Sequence, residues 1–263
     1  MPEETIKEPA KETAADKKPA GIRQKHIAIM AVVLALVIGA FIFSGNTDAP
    51  TGKVLEPALT PEQIAEFNSI VAECNQYIAQ RDNNNTIICL KKADAIKSDL
   101  AVVSGLADIY SITGNNVEAI GYYARAIQIS PSDARIRYNY AIALEQINLT
   151  GDALAQYSNA TELDANNTAS MNNMGILLQK LKRFNESKQE FDAALMLEPN
   201  NTVIIANHAN LLAEMGLNAE AEAGFRKAIA LAPNDKGIYR NFAQFLYTNG
   251  RYGEAKDALE KSY

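Results

Sequence analysis

The chain has 263 residues, a formal net charge of −6 and 48% hydrophobic residues, enough apolar side chain to bury a core in one large domain or two small ones. The N-terminal 43 residues carry six Lys/Arg against five Asp/Glu, which leaves the remainder at −7. An acidic chain with scattered cations lacks the concentrated positive face that phosphate contacts need, so composition argues against nucleic acid as a partner.

Residues 1–26 open with Lys, Glu, Pro and Thr and almost no aliphatic side chains up to Ala20. Such a segment cannot offset its ordering entropy by burial and reads as a disordered tail, either simply solvated or binding a partner through its mixed charges. Ile27 to Phe43 is an unbroken run of 17 uncharged residues. As a helix it reaches about 26 Å, enough to cross a bilayer core. A cleaved signal peptide is the rival reading, but the preceding segment is long and partly acidic, and the nearest small-x-small site, Thr47-Asp48-Ala49, is followed by Pro50. An uncleaved transmembrane anchor is therefore expected. Lys17, Lys18, Arg23 and Lys25 precede it and only Lys53 follows closely, which places the N-terminus in the cytoplasm and the rest outside, a single-pass plasma-membrane protein.

Residues 44–60 mix Gly, Pro, Thr and Asp and read as a spacer. Thr60 then stands as a helix N-cap, with Pro61 at the first helical position and Gln63 as the capping-box partner. The helix that follows puts Ile64, Phe67, Ile70, Val71, Cys74, Tyr77 and Ile78 on one broad face. A turn over Arg81 to Asn85 and a second helix from about Thr86 to Ile96 complete a pair spanning 61–99. Its Leu90 and Ala93 sit one residue out of step with what comes after, as in a degenerate end unit.

From Leu100 the chain repeats every 34 residues, in units 100–133, 134–167, 168–201, 202–235 and 236–263. Small residues recur at Ala107, Ala141, Gly175, Ala209 and Ala243, at Ala119, Ala153, Ser187, Ala221 and Ala255, and at Ala126, Ala160, Ala194, Ala228 and Ser262. Large ones recur at Tyr110, Leu144, Leu178, Leu212 and Leu246, and at Tyr123, Tyr157, Phe191, Phe225 and Leu259, while Pro131, Pro199 and Pro233 mark the joints. Apolar spacings of three, four and seven make each unit a helix, a tight turn and a helix, with the small residues at the crossings. These columns resemble the tetratricopeptide repeat (TPR) family. The resemblance implies an all-α fold, a right-handed superhelical solenoid of helix hairpins, here preceded by one transmembrane helix.

Little in the sequence points to chemistry. There is no phosphate-binding loop, no Cys-x-x-Cys and no nucleophile elbow, and His208 occupies a packing column with Leu106, Tyr140, Met174 and Phe242. No enzyme activity, cofactor or metal is expected. Cys74 and Cys89, the only cysteines, flank the turn of the end pair and form either a disulfide or two small buried thiols. Asn-x-Ser/Thr sequons begin at Asn84, Asn148, Asn159, Asn166, Asn185 and Asn200. Random placement of this chain's Asn and Ser/Thr would give about two. All but Asn159 are candidates for N-glycosylation, although Asn also suits turns and caps in any compartment.

In the family, the first helix of each unit lines the inner wall. There Asn139, Asn173, Asn207 and Asn241 stand one repeat apart, an amide ladder able to pair with the main chain of an extended segment, or only to bridge neighbouring helices. Arg135, Tyr138, Ile142, Ile176 and Arg240 surround it, and no Lys/Arg cluster is present to clamp a terminal carboxylate. The expected partners are therefore proteins or extended, neutral to mildly apolar peptides, in assembly or secretion of envelope proteins. The alternative is a structural adaptor that self-associates through its last hairpin.

Overall fold

The computed structural model describes residues 58–262. The tail, the apolar run 27–43 and the spacer up to residue 57 lie outside the described residues. Among those described, every regular element is helical, and no helix is long and apolar enough to cross a membrane. Twelve helices follow one another: α1 Pro61–Ala79, α2 Asn83–Ile96, α3 Leu100–Ile112, α4 Asn116–Ile129, α5 Ala134–Gln146, α6 Thr150–Leu163, α7 Thr168–Lys180, α8 Phe184–Leu197, α9 Thr202–Glu214, α10 Asn218–Leu231, α11 Lys236–Thr248 and α12 Tyr252–Glu260.

The two kinds of connection explain the regular spacing. Within every hairpin three residues reverse the chain, and the middle one is left-handed: Gly114, Gly216 and Gly250 at φ 76° to 80°, and Arg81, Asn148 and Lys182 at 58° to 62°. Glycine takes that conformation without strain, and Asn is next best. Between hairpins, a polar N-cap starts each new helix. Asp99, Asp133, Asn167, Asn201 and Asp235 all accept backbone N–H bonds in the first turns of α3, α5, α7, α9 and α11. At the front of the array Thr60 and Gln63 form a complete capping box on α1.

The end pair differs from the sequence reading in one respect. Residues 83–85, expected in the turn, form the first turn of α2, because Asp82 accepts from the Asn85 backbone N–H at 3.1 Å and from its side-chain amide at 2.7 Å. The chain therefore reverses over Gln80 to Asp82 alone. The link to the next hairpin is also one residue shorter than the others, 97–99 against four residues at 130–133, 164–167, 198–201 and 232–235. That deletion is the cause of the one-residue slip at Leu90 and Ala93. The broad face of α1 is only partly covered: Phe67 and Cys74 are buried, whereas Ile64 and Ile78 are about half exposed.

Buried side chains run along the array from Phe67 to Ala258 without gathering at a centre. The small columns are buried throughout, and Tyr123, Tyr157, Phe191 and Phe225 fill the spaces beside them at no more than 1% exposure. The column breaks only at its end, where Leu259 is 42% exposed. At two places the fit is close enough to show why size is fixed. A Cβ on Gly175 would stand 3.0 Å from the Phe191 ring, and one on Gly224 would stand 2.9 Å from the Ala209 Cβ.

Ala209 and Gly224 are 15 residues apart, and so are Cys74 and Cys89. Allowing for the missing loop residue, the two pairs hold the same places in their hairpins. At this near approach the cysteines, 0% and 3% exposed, form a disulfide with Cα atoms 5.4 Å apart. In the third repeat Glu190 takes the place of Gly224, half-buried. Burial pushes its carboxyl up, and the neighbouring Glu186 adds to the shift.

Gly224→Ala should lower stability by about 1–3 kcal/mol, since the contact is with a Cβ fixed on a helix and cannot rotate away. Urea unfolding measures this. Glu190→Gln should raise the melting temperature at pH 7, because the folded state disfavours the charged carboxylate. The advantage should shrink as the pH falls through the raised folded pKa towards about 4, where the wild-type side chain is protonated in both states.

Candidate functional site

The first helices of the hairpins, α3, α5, α7, α9 and α11, line an open groove. Its larger hollow, about 750 Å³, is bounded by Ile176, Gln179 and Lys180 of α7, Lys182 of the next turn, Asn207, Asn210, Ala213 and Glu214 of α9, and Asn241, Gln244, Phe245 and Thr248 of α11. A smaller hollow of about 330 Å³ lies towards the other end, between Asp108, Ser111 and Ile112 of α3, Tyr123 of α4, and Asn139 and Ile142 of α5.

The amide ladder is largely engaged within the protein. Asn139 Nδ2 donates to Asp108 Oδ1 at 3.0 Å, Asn173 Nδ2 to the Tyr138 hydroxyl at 3.3 Å, and Asn207 Nδ2 to Asn172 Oδ1 at 2.9 Å. Asn172 in turn donates to Asn173 Oδ1 at 3.2 Å. Each rung therefore ties one hairpin to the one before it. The amides of Asn210, Asn241 and Gln244, all facing the larger hollow, carry no hydrogen bond to the protein. Of the other expected groove residues, Ile142 and Ile176 line the two hollows, whereas Arg135, Tyr138, Asn173 and Arg240 line neither.

Cations on or beside the groove are matched by carboxylates from the adjoining hairpin. Lys180 Nζ lies 2.7 Å from Glu145, Lys182 Nζ 3.2 Å from Glu214, and Arg135 3.3 Å from Asp108, while Gln179 Nε2 donates to Glu214 at 2.8 Å. The Lys and Arg side chains are more than half exposed, so each pair contributes at most about 1 kcal/mol. Their effect is to cancel charge in the groove rather than to hold the fold.

Asp108 is the exception in weight. It accepts from the buried Tyr123 hydroxyl at 2.7 Å as well as from Asn139 and Arg135. Burial pushes the Tyr123 phenol far up, with the Asp108 charge adding to it, so the hydroxyl stays a donor at any physiological pH. Tyr157 repeats the arrangement one hairpin later, its hydroxyl 3.3 Å from Glu145 and its phenol likewise raised by burial and by that carboxylate.

Gln179, Lys180, Lys182, Glu214, Phe245 and Thr248 were not singled out in the sequence. Ile112, Gln146, Lys180, Glu214 and Thr248 form a column 34 residues apart in the last turn of the first helices, and that spacing was the available signal. His208 packs 6.0 Å from the Phe191 ring, with Nε2 at 3.4 Å from Asp192 but without hydrogen-bond geometry, and burial lowers its pKa. Among the described residues no three His, Cys, Asp or Glu side chains are grouped to hold a metal ion. The sequon residues Asn84, Asn148, Asn166, Asn185 and Asn200 are exposed, and Asn159 is half-buried in α6.

The tetratricopeptide repeat family model matches residues 104–133, 168–201 and 204–235. No curated protein matches the chain. Among solved structures, the fold is similar to a tetratricopeptide repeat protein from Parabacteroides merdae, 21% identical over 74% of this chain and 78% of that one, with a TM-score of 0.69. It is also similar to YrrB, described as a TPR protein with an unusual peptide-binding site, at 19% identity, 66% and 90% coverage and a TM-score of 0.53. MamA from Desulfovibrio magneticus is 15% identical, with 62% and 92% coverage and a TM-score of 0.56. The chain thus carries tetratricopeptide repeats in an all-helical solenoid, a fold that typically serves as a non-catalytic scaffold for protein or peptide partners.

Asp108→Ala should cost about 1–3 kcal/mol by leaving the Tyr123 hydroxyl buried without an acceptor. Asp108→Asn, which keeps an acceptor, should cost less. Both are read from urea unfolding midpoints.

Proposed function

We propose that this array of tetratricopeptide repeats is a membrane-anchored scaffold that takes extended segments of client proteins into the groove along its first helices, outside the plasma membrane, during assembly or secretion of envelope proteins. The observation that carries the binding site is the larger hollow. Asn210, Asn241 and Gln244 present unspent donors and acceptors beside the apolar Ile176 and Phe245, where the neighbouring lysines are already neutralised. Such a surface can pair with peptide backbone and receive small apolar side chains, and it offers an acidic tail little. Asn139, Asn173 and Asn207 support the site by fixing the spacing of the hairpins. Residues 27–43 and the cations before them support the anchor and its orientation, and the buried Cys74–Cys89 bridge fits an oxidising compartment.

One observation favours the second reading, self-association by the last hairpin. Tyr247 and Tyr252 are 60% and 63% exposed with ring centroids 5.1 Å apart, and Leu259 is exposed near them in sequence. Apolar surface of this kind suits a second copy.

Asn241→Ala combined with Gln244→Ala should weaken client binding by roughly thirtyfold, two hydrogen bonds at about 1 kcal/mol each, with the melting temperature unchanged. Crosslinking from the groove in native membranes, compared between wild type and double variant, measures it. Unaltered crosslinks, together with dimers lost on Tyr247→Ser and Tyr252→Ser in sedimentation, would favour the adaptor instead.

A further inference from the structure

The structure sorts the asparagines of this chain into two groups. Asn85, Asn115, Asn139, Asn167, Asn172, Asn173, Asn201, Asn207 and Asn249 use their side chains to cap helices, close turns or tie hairpins together. Five of the six sequon residues, Asn84, Asn148, Asn166, Asn185 and Asn200, do none of this. They are exposed, and their amides have no hydrogen-bond partner in the protein. The contrast is sharpest in the Asn-Asn-Thr segments at 166–168 and 200–202. There the second Asn is the N-cap of α7 or α9, and the first, which begins the sequon, is left over. Only at Asn148, in a left-handed turn, does the backbone account for the residue type. Capping therefore does not explain the threefold excess of sequons over chance.

We infer that these asparagines are N-glycosylation sites, and that the oligosaccharides stand on the turns and first helical turns at the two edges of the array while the groove stays bare. None of the five lines either hollow. The donor is a lipid-phosphate-linked oligosaccharide. Asparagine Nδ2 forms a bond to its C1, the bond from C1 to the phosphate oxygen breaks, the lipid phosphate leaves with the electron pair, and one amide proton is lost.

The hydroxyls that complete three sequons are already occupied. Thr86 donates to the Asp82 carbonyl at 2.7 Å, Thr168 to Glu198 at 2.6 Å, and Ser187 to the Gly175 carbonyl at 2.7 Å. Thr86 and Ser187 are 2% and 0% exposed. Transfer at these sites therefore precedes folding, and the folded array then holds the modified side chains in solvent.

The inference rests on the extracytoplasmic placement proposed above, and its test separates the two. The full chain is isolated from membranes of its native host and its sequon peptides are weighed, and protease is added in parallel to sealed cells. The expected result is that peptides holding several of the five asparagines are heavier by an oligosaccharide. Asn166→Gln and Asn200→Gln should each remove one increment without changing the melting temperature. Sequon peptides at their unmodified mass, on an array that external protease digests, overturn the modification and leave the placement standing. The same masses on an array that protease cannot reach overturn both.

Discussion

Everything in this molecule depends on how closely the two helices of a hairpin approach. Where Ala209 meets Gly224 there is no room for one more carbon, and the equivalent places at the front of the array are so near that Cys74 and Cys89 bridge them. Small residues at a crossing let the backbones come together, and the large rings of Tyr123, Tyr157, Phe191 and Phe225 then fill the space beside it. Since each hairpin meets only its neighbours, this fit is repeated rather than concentrated. A single crossing that opened would push adjacent hairpins apart and misalign the groove that both contribute to.

The groove inherits its chemistry from that stacking. Side chains on successive first helices lie close enough to bond one another, so much of the polar surface is spent between hairpins: Asn139 on Asp108, Asn173 on Tyr138, Asn207 on Asn172, Lys180 on Glu145 and Lys182 on Glu214. What remains for a ligand is the set of amides for which the next hairpin has no counterpart, chiefly Asn241 and Gln244. A scaffold held together by its own inner wall thus offers a short, neutral reading surface at one end of a long channel.

The helices were legible because two periodicities agree, the 3.6-residue one inside each helix and the 34-residue one between hairpins. The caps Asp133, Asn167, Asn201 and Asp235 could be read in the same way, since capping is decided within a few residues. The start of α2 could not, because three consecutive asparagines are as suited to a turn as to a helix, and only the bonds from Asp82 settle the matter. The groove was legible in outline and not in detail. A column of asparagines identifies the wall, but whether an amide points at a ligand or at the next hairpin depends on the side chain one repeat away, at Asp108, Tyr138 or Asn172. The Cys74–Cys89 pairing was closer to hand than it looked. Shifting by 33 instead of 34 residues puts both cysteines on the near-approach register, and the shorter loop at 97–99 is the reason for that shift.

The bridge in the first hairpin also gives the array a direction. Stacks of this kind lose structure from their ends inward, because a terminal unit has one neighbour instead of two. At the front, a covalent tie inside the unit holds α1 and α2 together even when thermal motion loosens them. At the back, α12 has only nine residues, and the last large column residue, Leu259, is half bare. Fraying is therefore biased to start at the rear and travel forward, through the hairpins that carry Asn241 and then Asn210. The stretch of channel suited to a guest is the stretch most easily unzipped, and a guest seated there would hold the zip closed.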